Sequence, residues 1–232
     1  MTKHLALPRL LQLCSANLPI GGFAFSQGLE TAIDLGWIST NDDLYHWVAT
    51  MLQESITKTD LALLLKQRQA LYDNDWNCFD DNEQWVCATR ETSEILMAEC
   101  AMGNALLRLL KNLRFKEDCS ELPALLLNIE HYPKLSFVSS FAIASHLFEL
   151  DIEMTLYGFT WTFIDNQVAA GVKLIPLGQT DGQNLLFSLS QLIPKCVSNT
   201  LNAQTSTIGQ SLAGLAIASS RHEQQYSRLF RS

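Results

Sequence analysis

The sequence predicts an all-α protein, a single-domain helical bundle of roughly ten helices that spans residues 1–232. Apolar residues recur every three or four positions over most of the chain, which is the spacing of one helix face. Of the 232 residues, 47% are hydrophobic and 17% are charged, so the chain can bury a large core. Residues 152–164 include strand-favouring types, but a strand there would have no partner, so we predict a helix.

The charge balance disfavours two classes of function. The 16 basic and 24 acidic residues give a formal net charge of −8, which argues against binding to nucleic acid or to an anionic membrane. No secretory signal is expected, because the first residues include Lys3 and His4 and no apolar segment follows them. We therefore expect a cytoplasmic protein whose partners are neither nucleic acid nor membrane.

The segment LPIGGFAFSQGLE, residues 18–30, predicts a sharp buried turn that leads into a helix. The adjacent glycines Gly21 and Gly22 cost conformational entropy, so they indicate a backbone conformation that other residues avoid. Ser26 is placed to cap the following helix, and Glu30 lies in its first turns, where a carboxylate is favourable. A phosphate-binding loop is the alternative, but it is disfavoured because no Gly-Lys-Ser/Thr follows.

Amphipathic helices are predicted in the first third of the chain. One begins at a capping box formed by Thr40 and Asp43. Its apolar stripe consists of Leu44, Trp47, Val48, Met51 and Leu52. Asp60 is placed to cap the next helix. The acidic and aromatic segment 72–84 lacks a helical period and predicts a surface loop.

Further helices are predicted in the middle of the chain. A narrow apolar seam predicts close helix packing, with Gly103 allowing a near approach. The seam consists of Leu96, Cys100, Gly103, Leu107 and Leu110. Another helix starts over residues 122–127. Residues 135–150 are too few to span a bilayer and predict a buried central helix instead.

A second segment that is interrupted by proline and glycine, GVKLIPLGQTDGQ, occupies residues 171–183. Pro176 and Gly178 are expected to end the helix that precedes them. Thr180 and Gln183 then form a predicted capping box for the next helix.

The C-terminal residues combine aromatic, aliphatic and basic side chains. The last helix is predicted over 208–219, and the tail RHEQQYSRLFRS follows it. If the tail becomes helical, Tyr226, Leu229 and Phe230 form one apolar face. Arg228 and Arg231 lie beside that face. Either the tail docks into a partner, or it is a frayed helix end that packs on its own chain.

Metal-binding and catalytic patterns are absent from the sequence. It contains no CxxC, HxH or HxxxH spacing, no nucleophile beside a base, and no recognisable pair of catalytic carboxylates. The cysteines are Cys14, Cys78, Cys87, Cys100, Cys119 and Cys196, and the histidines are His4, His46, His131, His146 and His222. We therefore expect neither an enzyme nor a bound metal or cofactor.

Two alternatives stay open at this point. One is a cytosolic all-α enzyme whose site is assembled from distant residues such as His46, Glu99 and His146. The other is a metallochaperone that itself carries nickel. Activity of the isolated chain, or stoichiometric nickel binding by it, would identify them.

Three segments together resemble the urease accessory protein UreF family. They are LPIGGFAFSQGLE, LIPLGQTDGQ at residues 174–183, and YSRLFRS at residues 226–232. The resemblance covers nearly the whole chain, and the three motifs occur in the same order and at similar separations. One departure is the pair Ala24 and Phe25, where Ser-Tyr is common in the family.

The resemblance implies an all-α fold, a homodimer and a non-enzymatic role in assembling the nickel centre of urease. Its implied partners are UreD (also called UreH), the GTPase UreG and apo-urease, so nickel and GTP would be handled by partners. The tail 226–232 would be the segment that docks into the UreD-like partner.

A regulator of a GTPase can contribute a polar or basic group to its partner's site. The candidate partner-binding residues are Glu30, Lys173, Gln179, Asp181 and Gln183, together with the tail residues Tyr226, Arg228, Leu229, Phe230 and Arg231. The alternative role of the first five is to cap helices and stabilise turns.

Overall fold

The prediction of an all-α fold is confirmed by a computed structural model, which describes residues 5–113, 122–203 and 208–232. Within these ranges the chain forms twelve α-helices, a 3₁₀ turn at Gly22–Ala24 and a π-helical segment at Met51–Asp60, without a strand. The helices are α1 Ala6–Leu13, α2 Leu29–Asp34, α3 Asn41–Thr50, α4 Leu61–Tyr72, α5 Trp76–Ala88, α6 Ser93–Asn112, α7 Leu122–Glu130, α8 Phe137–Leu147, α9 Ile152–Leu174, α10 Gln179–Ser190, α11 Ile193–Asn202 and α12 Ala213–His222. None of the described helices is both long and apolar enough to cross a bilayer.

The predicted capping box at the start of α3 is confirmed, whereas the predicted cap at Asp60 is wrong. Thr40 Oγ1 accepts from Asp43 N at 3.1 Å, and Asp43 Oδ2 accepts from Thr40 N at 2.9 Å. The chain passes from α3 through the π-helical segment into α4, with helical dihedral angles at both junctions. No free helix start therefore exists at Asp60, and its side chain is buried beside Arg90 instead.

The surface loop predicted over residues 72–84 is wrong, because α5 occupies most of it. Asp75 caps this helix by accepting from Cys78 N at 3.0 Å. Phe79 is completely buried, and its ring lies 5.4 Å from that of Trp76. A buried aromatic cluster thus holds this polar sequence as a helix.

The centre of the molecule is the packing of α6, α8 and α9. The predicted close approach at Gly103 is confirmed, because a Cβ atom there would lie 2.2 Å from Leu135 O. All residues of α8 except His146 are buried, as predicted for a central helix. The long helix α9 contacts α8, α10, α11 and the π-helical segment, so it connects both halves of the chain.

Two predictions about the last third need correction. Helix α10 starts two residues earlier than a Thr180–Gln183 box implies, since its N-cap is Gly178 and Asp181 Oδ2 accepts from Gly178 N at 3.3 Å. Helix α12 begins only at Ala213, and 204–207 lie outside the described residues. The chain therefore reaches its C-terminal residues through a short helix that packs on α2 and α6.

Candidate functional site

The glycine turn at residues 21–28 is held between α9 and α12. Gly21 has φ +74° and Gly28 has φ +81°, so both adopt the left-handed conformation that favours glycine. A Cβ atom on Gly28 would lie 3.3 Å from Ser219 N of α12. From α9, Gln167 Nε2 donates to Ser26 O at 3.3 Å. The predicted positive φ is confirmed at Gly21, whereas Gly22 lies in the 3₁₀ turn that follows and has no positive φ.

Ser26 and Glu30 lie where the turn enters α2. The N-cap position is Gly28, so the prediction that Ser26 occupies it is wrong. Ser26 Oγ still accepts from Glu30 N, at 3.4 Å. Glu30 is only 7% exposed. Its carboxylate therefore does not cap the helix and points into the protein.

The tail at residues 226–232 lies on the glycine turn as an irregular, non-helical segment, which we call the C-terminal strap. Arg231 N donates to Ala24 O at 2.8 Å. Ser26 N and Gln27 N both donate to Ser232 O, the second at 3.1 Å. Backbone hydrogen bonds therefore join the last residues of the described chain to the glycine turn.

The predicted helical face of Tyr226, Leu229 and Phe230 does not form, because the strap contains no helix. Phe230 is 6% exposed and points into the core, whereas Tyr226 and Leu229 are exposed. The strap makes its main-chain bonds to the turn, so a helical tail would lose them. The alternative of a chain end that packs on its own protein describes this arrangement.

Glu30 anchors the strap through its carboxylate. Its Oε1 accepts from Leu229 N at 2.7 Å, and its Oε2 accepts from Phe230 N at 2.9 Å. Hydrogen bonds to an ionised carboxylate are stronger than those between neutral groups. The first turns of α2 thereby fix the last residues of the chain.

A cluster of ionisable side chains surrounds this anchor and consists of the buried Glu30, Glu94 and His222 and the exposed Arg228. His222 is completely buried, with Nε2 3.2 Å from Glu30 Oε2 and Nδ1 2.7 Å from Glu94 Oε2. Arg228 Nη1 donates to Glu94 Oε1 at 2.9 Å. The cluster joins α2, α6, α12 and the strap. Removing a carboxylate would leave buried hydrogen-bond donors without their acceptor, which is costly.

Lys173, at the end of α9, contacts the turn and the strap together. Its Nζ lies 5.7 Å from the centre of the Phe23 ring and 5.8 Å from that of Phe230. Both distances fall within the range of a cation–π interaction. Lys173 and Phe23 are exposed, so this contact is accessible from outside.

A second buried ion pair lies below the turn. Arg90 Nη2 is 2.7 Å from Asp60 Oδ1 and 3.0 Å from Glu99 Oε2. Burial raises the pKa of Glu99, while Arg90 lowers it. His46 is exposed on α3, so the structure does not place it with Glu99 as a catalytic pair. No group of three or more His, Cys, Asp and Glu side chains among the described residues could hold a metal ion.

Comparison with known proteins decides the family. The UreF family model matches residues 38–190. The chain is 41% identical to the urease accessory protein UreF of Marinomonas sp. (strain MWYL1), covering 100% of this chain and 96% of that protein. It is 40% identical to the protein of the same name from Teredinibacter turnerae, covering 97% and 98% of the two chains. The UreF of Marinobacter nauticus is 37% identical, with 98% and 95% covered. The chain belongs to the UreF family.

The structure of this UreF-family chain brings together six of the ten residues predicted to bind partners. Those at the strap and turn are Glu30, Lys173, Arg228, Leu229, Phe230 and Arg231. Tyr226 begins the strap and is fully exposed. The other three, Gln179, Asp181 and Gln183, are exposed in the first turns of α10, where Asp181 also serves as the cap.

Sequence reasoning missed Glu94 and His222. A usable signal exists for His222, because Leu215, Ala218 and Ser219 precede it by seven, four and three positions and share its buried face. A histidine in an apolar stripe requires buried hydrogen-bond partners. Glu94 sits in the first turn of α6, where a carboxylate is expected on the surface, so its burial carries no comparable signal.

Proposed function

We propose that this UreF-family chain is a non-enzymatic adaptor in the maturation of the urease nickel centre in the cytoplasm. It binds UreD (UreH), the pair recruits the GTPase UreG, and the complex regulates GTP-dependent nickel insertion into apo-urease. The observation that carries this proposal is full-length similarity to curated urease accessory proteins UreF, at 41% identity in one case. In this account the partners hold nickel and GTP, and this chain contributes surfaces.

The surface proposed to meet the UreD-like partner is the outer face of the strap with the turn beneath it. Leu229 is 65% exposed, Phe23 is 61% exposed, and Tyr226 is exposed completely. Lys173 and Arg231 are also exposed there. Exposed aromatic and aliphatic side chains next to basic ones suit a partner with an apolar pocket and an acidic rim.

This arrangement changes the form of docking proposed for the tail. A tail that folds as a helix on its partner would present Phe230, but Phe230 is buried against this chain's own core. We therefore propose that the partner contacts the strap while it remains in place on the turn. A preformed surface also avoids the cost of ordering a disordered tail during binding.

The first turns of α10 are proposed as a contact for UreG. Gln179 and Gln183 are exposed there, and Lys173 lies shortly before them in the chain. Polar and basic groups at such a position could orient or stabilise groups in a GTPase site, following the logic of an arginine finger. Gln179→Ala and Gln183→Ala are expected to change the GTP hydrolysis rate of the complex while UreD binding is retained. Loss of UreD binding would instead place α10 in the UreD interface.

Self-association as a homodimer is part of the proposal. Several large apolar side chains that do not belong to the strap are exposed, including Leu7, Leu11, Phe187 and Ile217. Sedimentation equilibrium of the purified chain is expected to give twice the monomer mass. A monomer at micromolar concentrations would exclude the homodimer as the free form.

The experiment that tests the function is co-purification of the full chain with its UreD-like and UreG-like partners, with GTP and with GDP. We expect a complex with UreD in both cases, and recruitment of UreG that depends on the nucleotide. Hydrolysis of GTP or urea by the isolated chain would support an enzyme instead. Stoichiometric nickel binding by the isolated chain at micromolar affinity would support a metallochaperone.

A further inference from the structure

A small cavity borders the glycine turn, where the turn meets α6, α8, α9 and the π-helical segment. Its volume is about 40 Å³. Aromatic rings form one part of its wall, and these are Phe137, Phe159 and Phe163. Polar side chains form another part, and these include Asp60, Thr162 and Gln167. The cavity therefore touches both the Arg90 ion pair and the side chain of α9 that binds the turn.

Asp60 has one carboxylate oxygen without a partner. Its Oδ1 lies 2.7 Å from Arg90 Nη2, whereas no described residue donates to its buried Oδ2. Asp60 is 3% exposed. A carboxylate oxygen accepts hydrogen bonds from water when it is exposed, so burying it without a donor is unfavourable. Asp60 Oδ2 thus requires a donor, and the cavity that Asp60 lines is the space from which one can come.

Gln167 has a second unpartnered acceptor. Its Nε2 donates to Ser26 O at 3.3 Å. Since a backbone carbonyl can only accept, turning the amide group round would lose this bond. The Oε1 atom of Gln167 is buried, and no described residue donates to it. Gln167 is 1% exposed, so this oxygen also requires a donor other than bulk water.

The occupant of the cavity therefore has to donate hydrogen bonds. Thr162 Oγ1 donates to Gly158 O at 2.9 Å, so its oxygen is left as a further acceptor on a residue that lines the cavity. A buried water molecule needs about 10–15 Å³ of such volume and two to four polar partners. The cavity has room for about two or three water molecules by this measure.

We propose that this cavity is a water-binding site, in which about two or three ordered water molecules donate to Asp60 Oδ2 and to Gln167 Oε1. The water joins the Arg90 ion pair to α9. Gln167 then connects the water to the glycine turn, because its amide donates to Ser26 O. Water is thus a part of the folded structure at this point, and the inference does not depend on the proposed function.

A bare cation suits the cavity less well than water. Glu99 also lines the cavity, but its Oε1 accepts from Val138 N at 2.9 Å and its Oε2 lies 3.0 Å from Arg90 Nη2. Of these two acidic residues, Asp60 alone has an oxygen left for an occupant. A metal ion would need more oxygen ligands than this. Water satisfies the unpartnered oxygens without additional ligands.

A high-resolution crystal structure of the full chain tests the proposal directly. We expect water within hydrogen-bonding distance of Asp60 Oδ2 and of Gln167 Oε1. An empty cavity would overturn the proposal. Crystals soaked in a rubidium salt provide the test for a cation, because rubidium is identified by its anomalous scattering. A rubidium peak in the cavity would show that the site takes a cation instead of water.

Xenon distinguishes a wet cavity from a dry one in the same crystals. Apolar cavities that hold no water bind xenon. Under xenon pressure we expect no xenon beside Phe159 and Phe163, because water occupies the space. Xenon bound at these rings in the parent protein would contradict the proposal.

Ile56→Phe enlarges a side chain in the cavity wall, and Ile56→Leu is the matched control. The larger ring should displace the water and leave Asp60 Oδ2 and Gln167 Oε1 without donors, so the melting temperature should fall. Filling a dry cavity would instead raise it. ¹⁷O magnetic relaxation dispersion counts long-lived water molecules in solution, and we expect about two or three fewer in Ile56→Phe than in the parent or in Ile56→Leu.

A higher melting temperature of Ile56→Phe, or an unchanged water count in the folded variant, would contradict the proposal. If Ile56→Phe does not fold, the crystal measurements on the parent protein decide it.

Discussion

The carboxylate of Glu30 accepts a hydrogen bond from the backbone N–H of Phe230 at 2.9 Å, although 200 positions separate the two residues. This bond closes the chain on itself at the glycine turn. It explains why one of the sequence motifs of the chain lies at the turn and another at the tail: the two form a single structural unit.

Replacing Glu30 should detach the strap. Glu30→Ala leaves the Leu229 and Phe230 amides without their acceptor and removes one of the two carboxylates that contact His222, so we expect a loss of about 2–4 kcal/mol in the free energy of unfolding. Trypsin should also cleave after Arg228 faster than in the parent. The exposed Glu91→Ala is the control. Equal cleavage rates in both variants would show that Glu30 does not hold the strap.

Gly21 should tolerate no Cβ atom without strain. Gly21→Ala places a side chain at φ +74°, so we expect a loss of about 1–2 kcal/mol in chemical denaturation. Gly22→Ala has a different cost, because the new atom would lie 2.9 Å from Asn166 Nδ2, at the end of a side chain that can move. Gly214→Ala, which meets nothing within 4 Å, is the control and should be close to neutral. An unchanged midpoint for Gly21→Ala would mean that the turn does not require glycine.

Replacing Gly103 by Ala should destabilise the fold more than replacing Gly21. A Cβ atom there would lie within 2.5 Å of the backbone of Leu135 and Ser136, which cannot rotate away. We expect Gly103→Ala to cost about 3 kcal/mol or more, since α6 and α8 must separate. A thermal melt compared with that of Gly214→Ala measures the effect. A shift no larger than the control's would contradict the close packing.

Much of this helical fold is predictable, because a buried helix face leaves a period of three to four in the sequence. The seam that includes Gly103 and the apolar run that becomes α8 are of this kind. Helix α5 cannot be predicted in this way because its buried face is narrow: Phe79, Asn82 and Val86 are surrounded in sequence by acidic and polar residues.

The conformation of the strap cannot be predicted from the sequence for another reason. Its anchors are main-chain amides of Leu229 and Phe230, and a main-chain amide has no sequence signature. The pattern of Tyr226, Leu229 and Phe230 fits a helix equally well, so only tertiary contacts decide between the two. Glu30 was identifiable as a candidate from its place after the turn, but not as the acceptor for the end of the chain.

The buried Arg90 should be essential to the stability of the fold, and the stability lost on its replacement should depend on pH. Arg90→Met leaves Asp60 and Glu99 unpaired, so we expect a loss of about 3–5 kcal/mol near neutral pH. Burial already raises the pKa of Glu99, and removing the guanidinium raises it further. A group whose pKa is higher in the folded state stabilises the fold at low pH and loses that effect as pH rises. The deficit should therefore be smaller near about pH 5 than near about pH 8. Urea denaturation at both pH values measures the stability lost, with the exposed Arg108→Met as control. An equal loss of stability at the two pH values would contradict this prediction.

Lys173 should contribute modestly to stability. Lys173→Ala removes the ammonium from between the Phe23 and Phe230 rings, at an expected cost of about 0.5–1 kcal/mol. Lys173→Arg should keep most of the interaction. Lys195→Ala, also exposed, should leave the melting temperature unchanged. A Lys173→Ala protein as stable as the parent would show that the two ring contacts contribute nothing.

The central claim is that the outer face of the strap binds the UreD-like partner, and the double variant Tyr226→Ala, Leu229→Ala tests it most directly. Both side chains are exposed, so their removal leaves Phe230 and the Glu30 bonds intact, which deletion of the whole strap would not. Tyr72→Ala, at an exposed tyrosine at the end of α4, is the matched control. We predict that the double variant melts like the parent and binds UreD about tenfold more weakly or worse. Parent-like affinity in the folded double variant would contradict the claim.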